Sequence, residues 1–549
     1  MYELVTNLSQ LPNFTLDFPV FSDIETEGLY INVRLIQLYQ PTTSDLVYTL
    51  DMDKLNLDEV KAILKPLWTV WHRASYDLGT LNMHTAKIDD TLYLARNAFP
   101  EIRDFTLDNV VGHLGYNHLY DGIDKKKMQK QGFVKGAYLS ALQLRYAATD
   151  VIALSKIWDN AKIQACRNIL SYKVDMASIC YAVMYQQNGL LVNQLAVRTE
   201  LDKLVDVIAE NKVKLGSLNP NSPKQVKIAL GTDSSDKATL VKLIATGNET
   251  ARLVYEQRRL LKREGFLQSY NYPKVFTRFT PGGATTGRFT ATGGDMPRGI
   301  NAQQITRDLQ YIFNTDTEDT VVIHADYSTA ELRAGCSIMN EPTMYQELKD
   351  KKDLHIEAAA MALGIDPKQV TKKDRQKGKA ISFGFIFGMS ADSFVEYAYV
   401  NYGVIFTPEE AKAIKKKYDT KYQNIAAYHK IKWNNYKTQP VVTPLGKRAM
   451  ANLGTDAINF ATQGGIAETT KLAVHYLCRD HAEAIKYIYN VVHDAIYLRV
   501  PRGMEEVWAD YLISSMKKAW VEICKCDLFN YKDIEMPVEI EYNGKVRVA

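Results

Sequence analysis

The sequence predicts a multidomain α/β protein. Three observations lead there. At 549 residues the chain exceeds the 250–300 residues or so at which single hydrophobic cores stop growing. Strand-like and helical runs alternate over roughly the first 165 residues, the pattern of an α/β domain. Further on, two β-preferring runs, Val321–Ala325 and Val491–Val500, flank a long helical stretch from about 342 to 437, so a sheet with a helical subdomain inserted into it is expected.

In chain order, strands are predicted at Phe18–Ile24, Ile31–Tyr39, Leu46–Leu50 and Trp68–His72, and helices at Asp58–Leu64, Asp77–His84, Phe105–His113 and Leu139–Lys162. The region 170–265 reads as helical. Tyr172–Gln187 stops at Asn188-Gly189, and Gln194–Leu215 follows. Pro223–Leu230 opens on a Ser222 cap with Pro at the first helical position, and Asn248 caps a helix to Arg263. Without a Pro/Gly linker before it, this region should pack on the first domain. The Gly/Thr-rich stretch Pro281–Ile300 reads as a loop whose lean backbone lets a nucleic-acid strand pass close. A helix near Ala457–Asp480 precedes a strand pair centred on His493-Asp494.

Composition narrows the class. Apolar residues make up 46% and charged residues 24%, ordinary for a soluble globular protein, and no apolar run approaches a membrane span. The start, MYELVTNLSQ, lacks the basic region and apolar core of a signal peptide. Six cysteines without a CxxC pair fit a reduced, cytoplasmic protein; Cys524 and Cys526 lack the second ligand pair of a zinc site. Net charge is only +4, but cations cluster at Lys125–Lys127, Arg258-Arg259, Lys262-Arg263, Lys372-Lys373 and Lys415–Lys417, which favours a phosphate-backbone partner.

Two constellations carry chemistry. Val321–Ile323 delivers Asp326 at a strand end, and Val491–Val500 carries Asp494 at the tip of a hairpin. One strand-end Asp is an ordinary turn residue; two can bridge two Mg2+ ions about 3.5–4 Å apart for in-line displacement at phosphorus. In RQKGKAISFGFIFG, Arg375, Lys379, Phe383 and Phe387 recur every four residues and share one helix face. Cations followed by rings on one stripe suit a nucleoside triphosphate.

HADYSTAELR, RQKGKAISFGFIFG and VVHDAIYL resemble the three polymerase motifs of family A DNA polymerases, the bacterial DNA polymerase I type. LNPNSPKQV, TTGRFT, NAQQI, DLH and NFATQGGIAE match in the same order. The resemblance implies an RNase H-like 3'–5' exonuclease domain over 1–168 and a right-hand polymerase domain over 169–549. Within the latter it implies a thumb at about 190–275, a palm at about 276–340 and 438–549, and fingers at about 341–437. It implies that Asp326, Asp494 and the Tyr327 carbonyl are metal ligands, and that Arg375, Lys379 and His355 are phosphate contacts, Lys379 also a proton donor. Phe383 and Phe387 would line the nucleotide pocket, Phe383 stacking on the incoming nucleotide. Glu331 would be the steric gate against a 2'-hydroxyl, and Arg288, Asn459, Gln463 and His493 would lie along the primer–template minor groove.

In the front domain, Asp23 and Glu25 share a strand face, Asp77 follows, and Tyr146 and Asp150 lie four apart on a helix. This set resembles the proofreading site of the same family: four acids for two metals, and Tyr146 for the attacking water. Implied cofactors are two Mg2+ per active site, with Mn2+ as a substitute. Implied partners are primer–template DNA, dNTPs and other replisome proteins, for a monomer that makes no membrane contact.

Departures from the family pattern matter. Ala495 stands where Glu is common. Phe387 replaces a Tyr whose hydroxyl would partner Glu331, so looser ribonucleotide exclusion is expected. Phe383 rather than Tyr implies discrimination against dideoxynucleotides. Thr455 replaces a primer-contacting Arg, and Ala330 replaces a larger residue beside the gate, suggesting a roomier pocket. A start directly at the exonuclease domain, with no 5'-nuclease ahead of it, suggests a bacteriophage replicative enzyme in the host cytoplasm. The rivals are a single-subunit RNA polymerase and a non-catalytic nucleic-acid-binding accessory protein.

Overall fold

The computed structural model describes residues 1–28, 32–294 and 296–549. The first sheet contains β1 (Tyr2–Val5), β2 (Val20–Thr26), β3 (Val33–Tyr39), β4 (Val47–Asp51), β5 (Trp68–Trp71) and β6 (Lys87–Asp90), in the order β1-β4-β3-β2-β5-β6. β3 runs antiparallel to β2 and β4, and the other pairs are parallel. β3 and β4 are buried almost end to end, the signature of strands covered on both faces. The predicted strand start at Ile31 lies outside the described residues.

Three helices of this module matter for function: α1 (Ala74–Leu81), α2 (Thr91–Ala98) and α3 (Ala141–Trp158). The single helix expected over 139–162 is two. Asn160 accepts the Lys162 N–H and caps a new helix, Ala161–Cys166.

α4 (Leu170–Tyr185) joins the module to the rest of the chain. α5 (Gln194–Leu215) then packs along α6 (Glu249–Ser269). α6 passes the expected end at Arg263 because Leu267 is fully buried, and tertiary packing outweighs the weak helix former Gly265. The Gly/Thr-rich segment is more than a loop. Thr290–Thr292 pairs antiparallel with Arg278–Thr280. Gly282 has φ +70°, and a Cβ there would come within 2.7 Å of the Tyr93 ring on α2. Its lean backbone serves packing against the first module.

The second sheet is antiparallel throughout. It contains β7 (Thr320–Tyr327), β8 (Ile488–Val492), β9 (Ala495–Pro501), β10 (Val538–Tyr542) and β11 (Lys545–Val548), in the order β8-β9-β7-β10-β11. α7 (Ala330–Ile338) leaves β7. The helical insertion includes α8 (Leu354–Leu363) and α9 (Lys372–Ile386), and α10 (Gly454–Asp480) and α11 (Glu505–Cys524) follow it. Val321, Ile323 and Ala325 on one face of β7 join the main core with both of these last helices, while Val322 faces the α5–α6 side. Alternation along β7 therefore sends Asp326 to the face opposite the main core. No helix among the described residues is long and apolar enough to cross a membrane.

The two modules meet through polar contacts. Tyr93 donates to the Pro281 carbonyl, Arg96 Nη1 donates to the Gly282 carbonyl (2.8 Å), and the Arg448 backbone N–H donates to Asn97 Oδ1 (3.0 Å). Asp175 on α4 is fully enclosed between Lys447 (2.8 Å) and Lys471.

Candidate active sites

The first site is on the palm-like second sheet. Asp326 occupies the penultimate position of β7. Asp494 and His493 form the two-residue turn between β8 and β9, closed by the Val492–Ala495 pair, with His493 at φ +56°. The two carboxylates are close enough to perturb each other. Burial, then Glu331, pushes the Asp326 carboxyl up to about 6. Burial, with Asp326 and Glu331 adding, raises Asp494. Asp326 Oδ1 is buried with no hydrogen-bond partner. Converging carboxylates with an orphaned oxygen fit a bound divalent cation, because they are costly to keep charged without one. The side chain of Tyr327 is turned away from the site: its ring is buried and its hydroxyl donates to the Met516 carbonyl (2.8 Å).

Glu331 lies in the first turn of α7, where the helix N-terminus favours a negative charge. It pairs with Arg288 (3.2 Å). Phe387 offers Glu331 no hydroxyl, and a cation from the 278–292 hairpin holds the carboxylate instead. Two hydroxyls also feel its charge, those of Tyr397 and Tyr402, which lie 3.4 Å apart. Ala330 is 1% exposed and packs in the main core.

On α9, Arg375, Lys379 and Phe383 are half-exposed, while Gly378, Ala380, Ile381, Gly384 and Phe385 are buried, so the predicted stripe is the open face. The helix ends at Ile386, two residues before the end of the RQKGKAISFGFIFG stretch, leaving Phe387 as its C-cap. Arg375 Nε donates to Asp353 (2.7 Å), the N-cap of α8. His355 is buried (3% exposed), tilted against Phe383 at 5.3 Å between ring centres, and pushed down to about 4 by burial, so it is neutral at pH 7. On α10, Asn459 donates to the carbonyls of Phe387 (3.1 Å) and Thr455 (2.9 Å); Gln463 follows one turn on. His493 is exposed at its turn, yet desolvation by the surrounding protein, with nearby Arg288 adding, lowers its pKa.

Sequence reasoning missed three residues here. Glu539 on β10 is the cross-strand neighbour of Asp326 and accepts from Ser328 Oγ (2.8 Å). Arg307 is close enough to lower the pKa of both Lys379 and His324. Gln303 donates to the Phe289 carbonyl (3.1 Å) and the Val491 carbonyl (3.4 Å), tying the hairpin to the Asp494 turn. Only Gln303 had a signal, as part of NAQQI; the other two depend on strand pairing and packing.

The second site is in the first module. Asp23 and Glu25 on β2 and Asp150 on α3 offer carboxylate oxygens within 4.8 Å of one another. Asp77, in the first turn of α1, lies outside that group but raises the pKa of Glu25 and is raised in turn by burial and then Asp23. Burial lifts Asp150 to about 7 against hydrogen bonds from Tyr120 and Tyr146. Asp23 and Glu25 are also raised, by burial first and neighbouring acids second. Such a set fits divalent cations. Tyr120, unforeseen in the sequence, donates to Asp150 Oδ1 (2.6 Å). Its segment offered no periodic signal linking it to α3.

Fold and sites together define a two-site enzyme acting on phosphodiester bonds: a carboxylate-lined nuclease module ahead of a palm-centred nucleotidyltransferase. The profile described as "3'-5' exonuclease" matches residues 2–163, and that of "DNA polymerase family A" matches residues 194–544. The chain belongs to DNA polymerase family A, and is a DNA-directed DNA polymerase with a 3'–5' exonuclease domain. It is 28% identical to DNA polymerase I of Aquifex aeolicus over 95% of this chain and 94% of that protein. It is 25% identical to the DNA polymerase of Mycobacterium phage D29, covering 87% and 86% of the two chains. With DNA polymerase I of Streptococcus pneumoniae it shares 21% identity over 87% of this chain, and spans 57% of that protein's length. The fold is similar to that of the POL domain of Pol1 from M. smegmatis, solved in complex with DNA primer-template and dNTP (TM-score 0.74, 18% identity, 96% and 94% of the two chains).

Proposed function

We propose that the palm site extends a primer 3' end by nucleotidyl transfer, using two divalent cations held by Asp326, Asp494 and the Tyr327 carbonyl, with Mg2+ the natural ion and Mn2+ a substitute. The observation that carries this reading is the pair of converging carboxylates with the orphaned Asp326 oxygen, whose cross-strand neighbour Glu539 is close enough to act on Lys379 of the α9 stripe. Bound cations would supply Lewis-acid stabilisation of charge at phosphorus. Arg375 and Lys379 bind the triphosphate, and Lys379 donates a proton to pyrophosphate. Arg375 first has to leave Asp353. Phe383 stacks on the incoming nucleotide and Phe387 borders it; His355 supports Phe383 from behind and reaches a phosphate only if the helix shifts. Glu331 excludes the 2'-hydroxyl. Arg288, Asn459, Gln463 and His493 track the primer–template minor groove.

In the first module, Asp23, Glu25, Asp77 and Asp150 hold the cations for 3'-end hydrolysis, and Tyr146 orients the attacking water. The domain boundaries proposed are 1–168 for exonuclease and 169–549 for polymerase, with fingers at about 341–437. The deciding experiment is primer extension with Mg2+, with dNTPs or NTPs, and with Asp326→Ala as control. Extension that survives Asp326→Ala, or that prefers NTPs, overturns the reading.

The finer proposal is replication of a bacteriophage genome by a monomer working with replisome proteins, supported by the likeness to the phage D29 enzyme. Extension of a singly primed circular template separates the cases. A replicative enzyme completes the circle; short distributive products overturn the replicative role.

A further inference from the structure

β7 lies between β9 and β10, so Asp326 has a strand neighbour on each flank. On the β9 side the register pairs Ala325 with Ile496, which brings residue 495 opposite Asp326; it is an alanine and offers no ligand atom. On the β10 side Asp326 pairs directly with Glu539. Residues opposite each other in antiparallel strands project from the same face, with Cα atoms about 4.5–5.5 Å apart. Glu539 therefore shares the face of Asp326 and lies within a side-chain length of it. The neighbouring row shows that such pairs touch here, because His324 stacks on its β9 partner Tyr497 with ring centres 4.4 Å apart. Along β10, Val538 and Ile540 are buried and Glu539 is exposed, so its carboxylate is open to solutes from the solvent side.

The acids around Asp326 differ in whether their charge is already answered. Glu331 is paired with Arg288 (3.2 Å). Glu539 forms no ion pair with a Lys or Arg among the described residues and accepts from Ser328 Oγ at Oε1 (2.8 Å). The Ser328 backbone N–H donates in turn to the Pro537 carbonyl (2.9 Å). These two bonds fix the carboxylate beside the end of β7 and leave Oε2 open, the arrangement by which a hydrogen bond orients a metal-binding carboxylate. Across the pair, Asp326 Oδ1 is buried without a hydrogen-bond partner. Unanswered carboxylate oxygens on adjacent strands of one face are costly to hold together, and a hard divalent cation shared between them relieves that cost.

We propose that Glu539 is a third carboxylate of the palm site, holding a divalent cation together with Asp326 from the β10 flank, an inference that rests on the nucleotidyl-transfer reading above. The charge of Glu539 reaches Asp326, where it adds to burial and to Glu331 in raising the carboxyl. It also reaches Lys379, so a competing role is to screen that lysine while the site is empty.

The test measures Mn2+ binding to the full chain, without DNA or nucleotide, from the electron paramagnetic resonance signal of the free ion. Every protein carries Asp23→Ala with Glu25→Ala, so that the palm dominates the titration. Glu539→Gln keeps the acceptor for Ser328 and removes only the charge. It is expected to weaken Mn2+ binding by about 10-fold or more, the loss found when a group supporting a metal site is removed. Glu541→Gln, one row along on the same face and opposite His324, is expected to bind as the parent does. Unchanged affinity in Glu539→Gln overturns the proposal, and so does equal weakening in Glu541→Gln, which assigns the effect to the general charge of the strand. If Mn2+ affinity holds while metal-free dNTP binding tightens, Glu539 screens Lys379 and the proposal falls. Asp326→Ala in the same background checks the underlying reading separately. Mn2+ binding that survives it refutes the palm cation site, whereas loss there with none in Glu539→Gln refutes only the role of Glu539.

Discussion

Arg288 Nη2 lies 3.2 Å from Glu331 Oε1, joining the 278–292 hairpin to the first turn of α7 beside Asp326. The Glu331 carboxylate is thus held by a cation. Both partners are only about a fifth exposed, so the pair is better shielded than a surface bridge (side-chain exposure 23% and 21%).

On the proposed gate role of Glu331, sugar selection should depend on this carboxylate. Glu331→Ala should lower the dNTP-over-NTP preference by about 10- to 100-fold, since each tenfold corresponds to about 1.4 kcal/mol of differential transition-state binding. Phe387→Tyr should raise the preference by placing a hydroxyl next to Glu331. Steady-state insertion ratios decide, and a preference unmoved by Glu331→Ala removes Glu331 from sugar selection.

The nuclease and polymerase sites should separate genetically. Asp23→Ala with Glu25→Ala removes two of the three clustered carboxylates. Degradation of a 3'-labelled single strand should fall by at least about 10³-fold, a loss of about 4 kcal/mol in transition-state stabilisation. Primer extension should stay within about twofold. Nuclease activity that survives the double change contradicts the site.

Cation binding should release protons. Burial and like charge raise the carboxyls of Asp23, Glu25 and Asp77, and lift Asp150 to about 7 and Asp326 to about 6. Ligation requires the carboxylate form, so binding near pH 6.5 expels protons, and affinity weakens as pH falls. Calorimetric titration with Mg2+ in two buffers of different ionisation enthalpy should give different apparent heats. Equal heats mean that the acids are already ionised.

The junction between the modules should be acid-sensitive through Asp175. Burial alone would raise its pKa, but Lys447 and Lys471 outweigh that and hold it below the usual carboxylate range. Its contribution is therefore present above the unfolded-state pKa and is lost as pH falls through the folded-state value. Asp175→Asn leaves Lys447 and Lys471 without their counter-charge and should cost about 3–5 kcal/mol at pH 7. Urea melts of both proteins should converge as the pH is lowered below the usual carboxylate range; a gap that stays constant through that descent contradicts the ionic origin.

Much of this was legible in sequence because it is local. Alternation placed Asp23 and Glu25 on one strand face, and a four-residue repeat placed Arg375, Lys379 and Phe383 on one helix face. Caps at Ser222 and Asn248 marked helix starts that the structure keeps. These features need only the periods of strand and helix. Three-dimensional pairing decided the rest. The Arg288–Glu331 pair spans 43 residues, the Asp326–Glu539 register joins strands more than two hundred residues apart, and Tyr120 reaches Asp150 from another element. The burial of Ala330 and His355 also depends on which surfaces pack together. A chain's periodicity states which way a side chain faces along its own element. What it faces is set by long-range packing, which the local sequence does not encode.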